Sequence, residues 1–375
     1  MYLDQLSLSH WRNFSSSELA LSKGVNFFVG DNAQGKTNLL EAVYFLAHLS
    51  SFRTRRSQDL IRNGAEHLSV SAKVVRQQRP RSVRVDLVGG RRKLFVDGLV
   101  TADLADFLGS LTVLLFSPGQ VELLRGSPES RRRFLDRAVM RRKPAHAVLL
   151  REYQHVLRTR NRCLRDGEWN LAELYASKIA ELGGRIVAAR LDLISELSRH
   201  VSRLYQSSVR SDDAVMLRYH SVWLERELGR RLTGDERGIC HEVRDFLVGA
   251  LERTRERERD RKHQLVGPQA DDLDVAIEGL SAPRHASQGQ MRSLLASLVL
   301  AEREILRQEG RKAVLLIDDL SSELDGGRRK ALISYLRSLD GQVLVTGTDL
   351  DSLAGLSPGR VFRVTRGEVI EETGL

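Results

Sequence analysis

The spacing of apolar and polar positions changes character repeatedly along the chain. The opening MYLDQLSLSHWRNF alternates as a half-buried strand does, and Val25 to Val29 is a short apolar run. GDNAQGKT follows at once, and then NLLEAVYFLAHL with its apolar positions at helical spacing. These pieces predict a strand, a glycine loop and a helix. Between Leu68 and Val96 the period falls to two in SVSAKVV, SVRVDLV and KLFVD, with Gly89-Gly90 as a hairpin turn. Leu111 to Phe116 predicts a buried strand, and Ser127-Pro128 supplies an N-cap and first helical position for ESRRRFLDRAVM.

From Ala145 to Tyr205 there is no proline, and apolar residues recur at helical spacing; the break at Asp166-Gly167 predicts two helices folding back on each other. Leu224 to Arg261 continues helical and ends in the charge run RTRERERDRKH, expected as a solvated helix face. From Ser287 the pattern returns to α/β. A helix from Gly289 to Gln308 precedes the strand AVLLI, a helix starting at Gly327, the strand QVLVT, and the paired strands RVFRV and EVIEE. The two ends of the chain are α/β and the middle is helical.

Candidate chemistry sits at the strand ends. Gly30, Asp31, Asn32, Ala33, Gln34, Gly35, Lys36 and Thr37 match GxxxxGKT in full, after an apolar strand and before a helix that begins with Asn38 next in line. Such a loop curls backbone N–H groups around phosphates, and Lys36 would reach the terminal phosphates of ATP while the Thr37 hydroxyl ligates Mg2+. VLLIDD, from Val314 to Asp319, ends an apolar strand in two carboxylates. Asp318 is expected to hold Mg2+ and Asp319 to orient or deprotonate the attacking water, which makes Lys36 and Asp319 the catalytic candidates. Lys36 and Asp318 are 282 residues apart, so both ends of the chain must build one ATPase head around an insertion. That divides the chain into 1–125 (loop and β-rich lobe), 126–265 (helical lobe) and 266–375 (the rest of the head).

The run Ser287, Gln288, Gly289, Gln290 opens an apolar helix just upstream of VLLIDD and resembles the signature motif of ATP-binding-cassette ATPases, which approaches nucleotide from a second subunit. Ser322 and Asp325 in SELD resemble that group's D-loop, Thr348 in VTGTD stands where a switch histidine is usual, and Gln120 is a candidate Q-loop glutamine.

Charge and composition narrow the partners. Across 375 residues, 59 Lys and Arg face 49 Asp and Glu, a formal +10, and only nine of the cations are Lys. That balance favours a polyanion, with Arg53, Arg55, Arg56, Arg131, Arg132 and Arg133 as candidate DNA phosphate contacts. Cys163 and Cys240 are too few and too far apart for a disulfide framework or a cysteine zinc site, and no apolar stretch approaches the length of a membrane span. The start of the chain lacks a secretory layout, so a cytoplasmic protein without membrane contact is expected.

The strings GDNAQGKTNLLEAVYFLA, SFRTRRSQDLI, GSPESRRRFLDR, Arg160-Asn161, ASQGQ, LLIDDLSSELD and VTGTD together resemble the RecF family of bacterial recombination proteins, in order and over nearly the whole chain. Met291, Phe52 and Gly119-Gln120 depart from the family's usual residues. The resemblance implies an α/β fold: a P-loop head of the ABC/SMC type split across the chain, with an inserted helical lobe and no long coiled coil. It implies a slow, DNA-stimulated ATPase that forms an ATP-dependent homodimer and binds duplex DNA near single-strand gaps, with RecR and RecO as partners in loading RecA. Two other readings stay open: an interaction scaffold with a vestigial ATPase, and an ATPase subunit of another DNA-processing complex.

Overall fold

The computed structural model of the chain describes residues 1–209, 212–225, 236–319, 333–334, 336–337, 340–350 and 355–372. In chain order its strands are β1 (Tyr2–Trp11), β2 (Phe14–Ala20), β3 (Val25–Val29), β4 (His67–Arg76), β5 (Arg79–Val88), β6 (Arg91–Val96), β7 (Leu99–Val100), β8 (Val113–Phe116), β9 (Val215–His220), β10 (Asp272–Ile277), β11 (Leu280–Ser281), β12 (Val314–Ile317), β13 (Val343–Gly347), β14 (Pro358–Thr365) and β15 (Glu368–Glu372). The helices are α1 (Lys36–His48), α2 (Leu104–Ser110), α3 (Val121–Arg125), α4 (Pro128–Arg142), α5 (His146–Asp166), α6 (Trp169–Val209), α7 (Glu236–Arg261), α8 (Ala282–His285) and α9 (Gln288–Gln308). Contacts divide the chain into one unit of Met1–Glu122, His200–Asp213 and Ala286–Leu375, and another of Leu123–Arg199 and Ala214–His285.

The first unit holds two six-stranded sheets. One, in the order β2-β1-β4-β5-β6-β7, is antiparallel, and its strands alternate buried and exposed positions because only one face is covered. The other runs β15-β14-β3-β13-β12-β8, parallel from β14 to β8 with β15 antiparallel at the edge. Its strands β12, β13 and, at the other edge, β8 are buried at every position, the consequence of cover on both faces, so they read as unbroken apolar runs. Helix α1 packs against β1, β4 and β5 of the first sheet and β8 and β13 of the second. All of Leu39 to Ala47 is buried, as a helix between two sheets requires.

One residue of α1 breaks that apolar run. Glu41 is fully buried, and Arg12 meets it with Nε to Oε2 at 2.9 Å and Nη2 to Oε1 at 2.7 Å, while the Ser51 hydroxyl donates to it as well. A buried carboxylate is tolerable only with such partners. The parallel strands share one direction, so their carboxyl ends lie along one sheet edge, where ligands of open α/β sheets bind.

The second unit is where the sequence expectation was incomplete. Helices α4, α5 and α7 and α6 as far as Arg199 are present, with the expected break near Gly167, whose left-handed φ of 78° ends α5. A three-stranded sheet, β11-β10-β9, stands among them. VMLRYH in β9 buries Val215, Leu217 and Tyr219 and turns the alternate residues outward, a period-two signal six residues long between much longer helical segments. Glu258, within the expected solvated charge run, is fully buried and lies 2.8 Å from the guanidinium of Arg160; Asn161 accepts the N–H of Gln264 at 2.8 Å.

The same unit contains a buried polar network. Asp271 accepts hydrogen bonds from the Tyr219 hydroxyl at 2.6 Å, the Ser221 hydroxyl at 2.7 Å and the Trp223 indole at 2.7 Å. Arg190 forks onto Asp136 at 2.8 and 2.9 Å, and His146 lies 3.5 Å from the same carboxylate. Burial alone would raise the Asp136 pKa, but Arg190 and His146 outweigh it and hold the group at about 2. The folded value lies below that of the unfolded chain, so the ionised carboxylate stabilises the fold above pH about 4 and loses that contribution as the pH falls towards 2. Asp136→Asn should therefore cost roughly 3 kcal/mol at neutral pH, the size of a broken buried ion pair. In urea unfolding the gap between variant and parent should close from pH 4 to pH 2; a gap independent of pH would show that the pairing contributes nothing.

Candidate nucleotide-binding site

The edge formed by the ends of β3, β13, β12 and β8 collects the candidate residues. Chain turns sharply after β3, through Gly30 with φ 155°, Ala33 with φ 65° and Gly35 with φ 118°. A Cβ on Gly35 would stand 2.6 Å from the Asn13 amide nitrogen, and one on Gly30 would run into the Val364 carbonyl oxygen. Both glycines of the motif are therefore required by neighbours as well as by backbone angle. Gln34 is braced from two sides: its carbonyl accepts the Asn13 amide at 2.9 Å and the Gly367 N–H at 3.1 Å, and its side chain accepts the Arg366 N–H at 2.7 Å. The Asn38 amide donates to Asn13 at 2.8 Å, which links the brace to α1.

Lys36 is folded into the loop it follows. Its ammonium donates to the carbonyls of Gly30 at 2.6 Å and Asp31 at 2.7 Å. Burial lowers its pKa, opposed by the carboxylates of Asp319, Asp318 and Asp31 in that order. Asp31, Asn32 and Ala33 are exposed, so the outer rim of the loop is open.

Asp318 follows β12 directly. Its Oδ1 accepts the Thr37 hydroxyl at 2.8 Å and the Thr346 hydroxyl at 2.9 Å. Burial raises the Asp318 pKa, Thr37 and Thr346 pull it back, and the charge of Asp319 adds to the rise. Asp319 adopts φ 54°, which bends the chain away from the strand, and its N–H donates to Thr346 at 2.8 Å. One threonine hydroxyl thus fixes both aspartates. Thr348, two residues later, donates to its neighbour Asp349 at 2.9 Å and is exposed.

Gln120 is buried in the short turn after β8, next along the edge from β12, whose following Asp318 N–H donates to the Phe116 carbonyl at 2.9 Å. Ser287 caps α9 in a reciprocal pair: its hydroxyl accepts the Gln290 N–H at 3.2 Å and its own N–H donates to the Gln290 side chain at 2.9 Å. Ser287 and Gln288 are exposed at this helix start, and Met291 is fully buried beneath it. Ser322 and Asp325 lie outside the described residues.

The expected DNA contacts divide. Arg53 donates to Asn38 at 2.6 Å and is half exposed; Arg55 and Arg56 are exposed. Arg131 is different, because its fork closes on Asp272 at 2.7 and 2.6 Å, with 11% of the side chain exposed. Arg132 donates to the Asp271 carbonyl at 2.6 Å, and Arg133 lies 3.6 Å from Glu129. Within the second unit Arg131 is thus committed to Asp272, and one Arg132 donor to the Asp271 carbonyl. Thr346, Asn13 and the Arg366-Gly367 turn were not singled out in the sequence, and only Thr346, inside VTGTD, carried a local signal.

Comparison with known proteins places this edge in context. The RecF/RecN/SMC N terminal domain description matches residues 2–368. The chain is 38% identical to the DNA replication and repair protein RecF of Myxococcus xanthus over 93% of this chain and 91% of that one, and 37% identical to the RecF of Symbiobacterium thermophilum over the full length of both. Among solved structures it is similar to the recombination mediator protein RecF with ATP in the RecFOR pathway, with a TM-score of 0.88 and 27% identity over 99% of each chain. An Smc head bound to the C-winged helix domain of ScpA shares the fold, with a TM-score of 0.58 at 14% identity, covering 99% of this chain and 98% of that one.

Proposed function

Because the chain belongs to the RecF family of DNA replication and repair proteins, within the RecF/RecN/SMC group, we propose that it is an ATP-switched DNA-binding protein of recombinational repair. The observation that carries this reading is the 2.8 Å hydrogen bond from Thr37 to Asp318, which brings together two halves of a site 281 residues apart. The loop offers backbone N–H groups and an ammonium to phosphates, and Thr37 and Asp318 offer adjoining hard oxygens, the donor set that suits Mg2+. When bound, Mg2+ would neutralise charge on the terminal phosphates.

The residues divide the work. Lys36 exchanges two carbonyl partners for phosphate oxygens. Asp319 orients or accepts a proton from the attacking water. Ser287 and Gly289 of a second copy, with the exposed start of α9, complete the site in trans, and the D-loop and switch roles fall to Ser322, Asp325 and Thr348. ATP then joins two heads, the homodimer closes on duplex DNA near a single-strand gap, and slow hydrolysis releases it. RecR and RecO are the partners through which such a clamp would direct RecA loading. Light scattering of the full chain with a non-hydrolysable ATP analogue should show a dimer, enhanced by gapped duplex; monomer alone under both conditions would remove the composite site.

A further inference from the structure

Helix α5 carries Arg151, His155, Arg158, Arg162 and Arg165, at offsets of 0, 4, 7, 11 and 14 residues. At 100° per residue these positions stay within about 40° of one line, a row about 21 Å long. The opposite face, with Tyr153, Val156, Arg160 and Cys163, is buried. All five side chains of the row are exposed, and none makes a side-chain hydrogen bond or ion pair with a described residue. The neighbouring carboxylate Glu152 is taken by Lys178 at 3.2 Å. A cavity of about 480 Å³ opens along the row and is lined by His155, Arg158, Arg162 and Arg165 together with Thr159 and Asn161, with no acid among them.

Like charges at i, i+3 and i, i+4 repel, and among the described residues no carboxylate forms an ion pair with any member of the row. The contrast with Arg131, whose fork closes on Asp272, is direct. We propose that this row is a docking surface for the phosphate backbone of duplex DNA. The surface extends the DNA-binding reading above and rests on it. Guanidinium forks match phosphate oxygens, and a straight row of this length spans about six base pairs of a continuous polyanion, whereas acidic patches on a protein are seldom so regular. Contact of this kind reads no bases.

The test is the salt dependence of binding of a labelled duplex to the full chain, for the parent, for Arg151→Gln/Arg158→Gln/Arg162→Gln/Arg165→Gln, and for the corresponding four Arg→Lys changes. Gln keeps helix propensity, so the fold is preserved. Loss of four phosphate contacts makes the slope of log affinity against log salt less negative by about 3.6, and the Lys variant restores most of it. Parent and Gln variant with the same slope would overturn the docking surface and leave the DNA-binding reading intact. A parent that fails to bind duplex even at low salt would instead remove that reading. An unchanged duplex slope with loss of binding to phosphatidylserine vesicles would assign the row to lipid and also overturn the proposal.

Discussion

Lys36→Met should weaken ATP binding by about a hundredfold and abolish nucleotide-driven dimerisation in the same step. The ammonium is the charge at the inner wall of the loop, and a charge-assisted hydrogen bond to phosphate is worth up to roughly 3 kcal/mol, about two decades in Kd. Those donors rest on the Gly30 and Asp31 carbonyls of the loop itself, so little rearrangement is needed to meet phosphate. Methionine keeps the unbranched stem that packs along the loop. Thermal unfolding of the variant should stay within about a degree or two of the parent, because Lys36 is only partly buried. Equilibrium binding of a fluorescent ATP analogue and light scattering make the two measurements. If binding falls but DNA affinity and partner binding persist unchanged, the scaffold reading, with its vestigial ATPase, replaces the switch.

Much of this site was legible in the sequence because its chemistry is local. A phosphate loop is a strand end, eight residues and a helix start, and VLLIDD likewise states both its strand and the carboxylates that leave it. Thr346, Asn13 and Gly367 are different: their roles depend on the sheet order β14-β3-β13-β12, which sets residues hundreds of positions apart side by side. No spacing rule predicts that Thr346 will bridge Asp318 and Asp319, since this follows from parallel pairing of β12 with β13. Charge was legible in amount and illegible in use. The triple Arg131 to Arg133 looked like a phosphate contact, yet Asp272, 141 residues away in sequence, claims Arg131. The row on α5 was written at heptad spacing throughout, but the spacing does not say which of its side chains the fold leaves without a described partner.

Asp319→Asn should bind ATP at least as well as the parent, hydrolyse it about 10²–10⁴-fold more slowly, and accumulate as a dimer on DNA. The change removes a negative charge from beside Lys36, where Asp319 is the foremost of the carboxylates acting on the ammonium. Phosphate therefore meets less repulsion, while the group that orients water or takes its proton is lost. The substitution keeps shape, and asparagine tolerates the left-handed φ of 54° at this position as well as aspartate does, so the bend after β12 survives. The main-chain N–H still reaches Thr346, which leaves Asp318 and its contact with Thr37 in place. Single-turnover hydrolysis separates this outcome from a binding defect, and a nucleotide-loaded variant should dissociate from gapped duplex more slowly than the parent. Hydrolysis at the parental rate would take the proton-handling role away from Asp319 and leave the site as a binding clamp that Lys36, Thr37 and Asp318 hold without it.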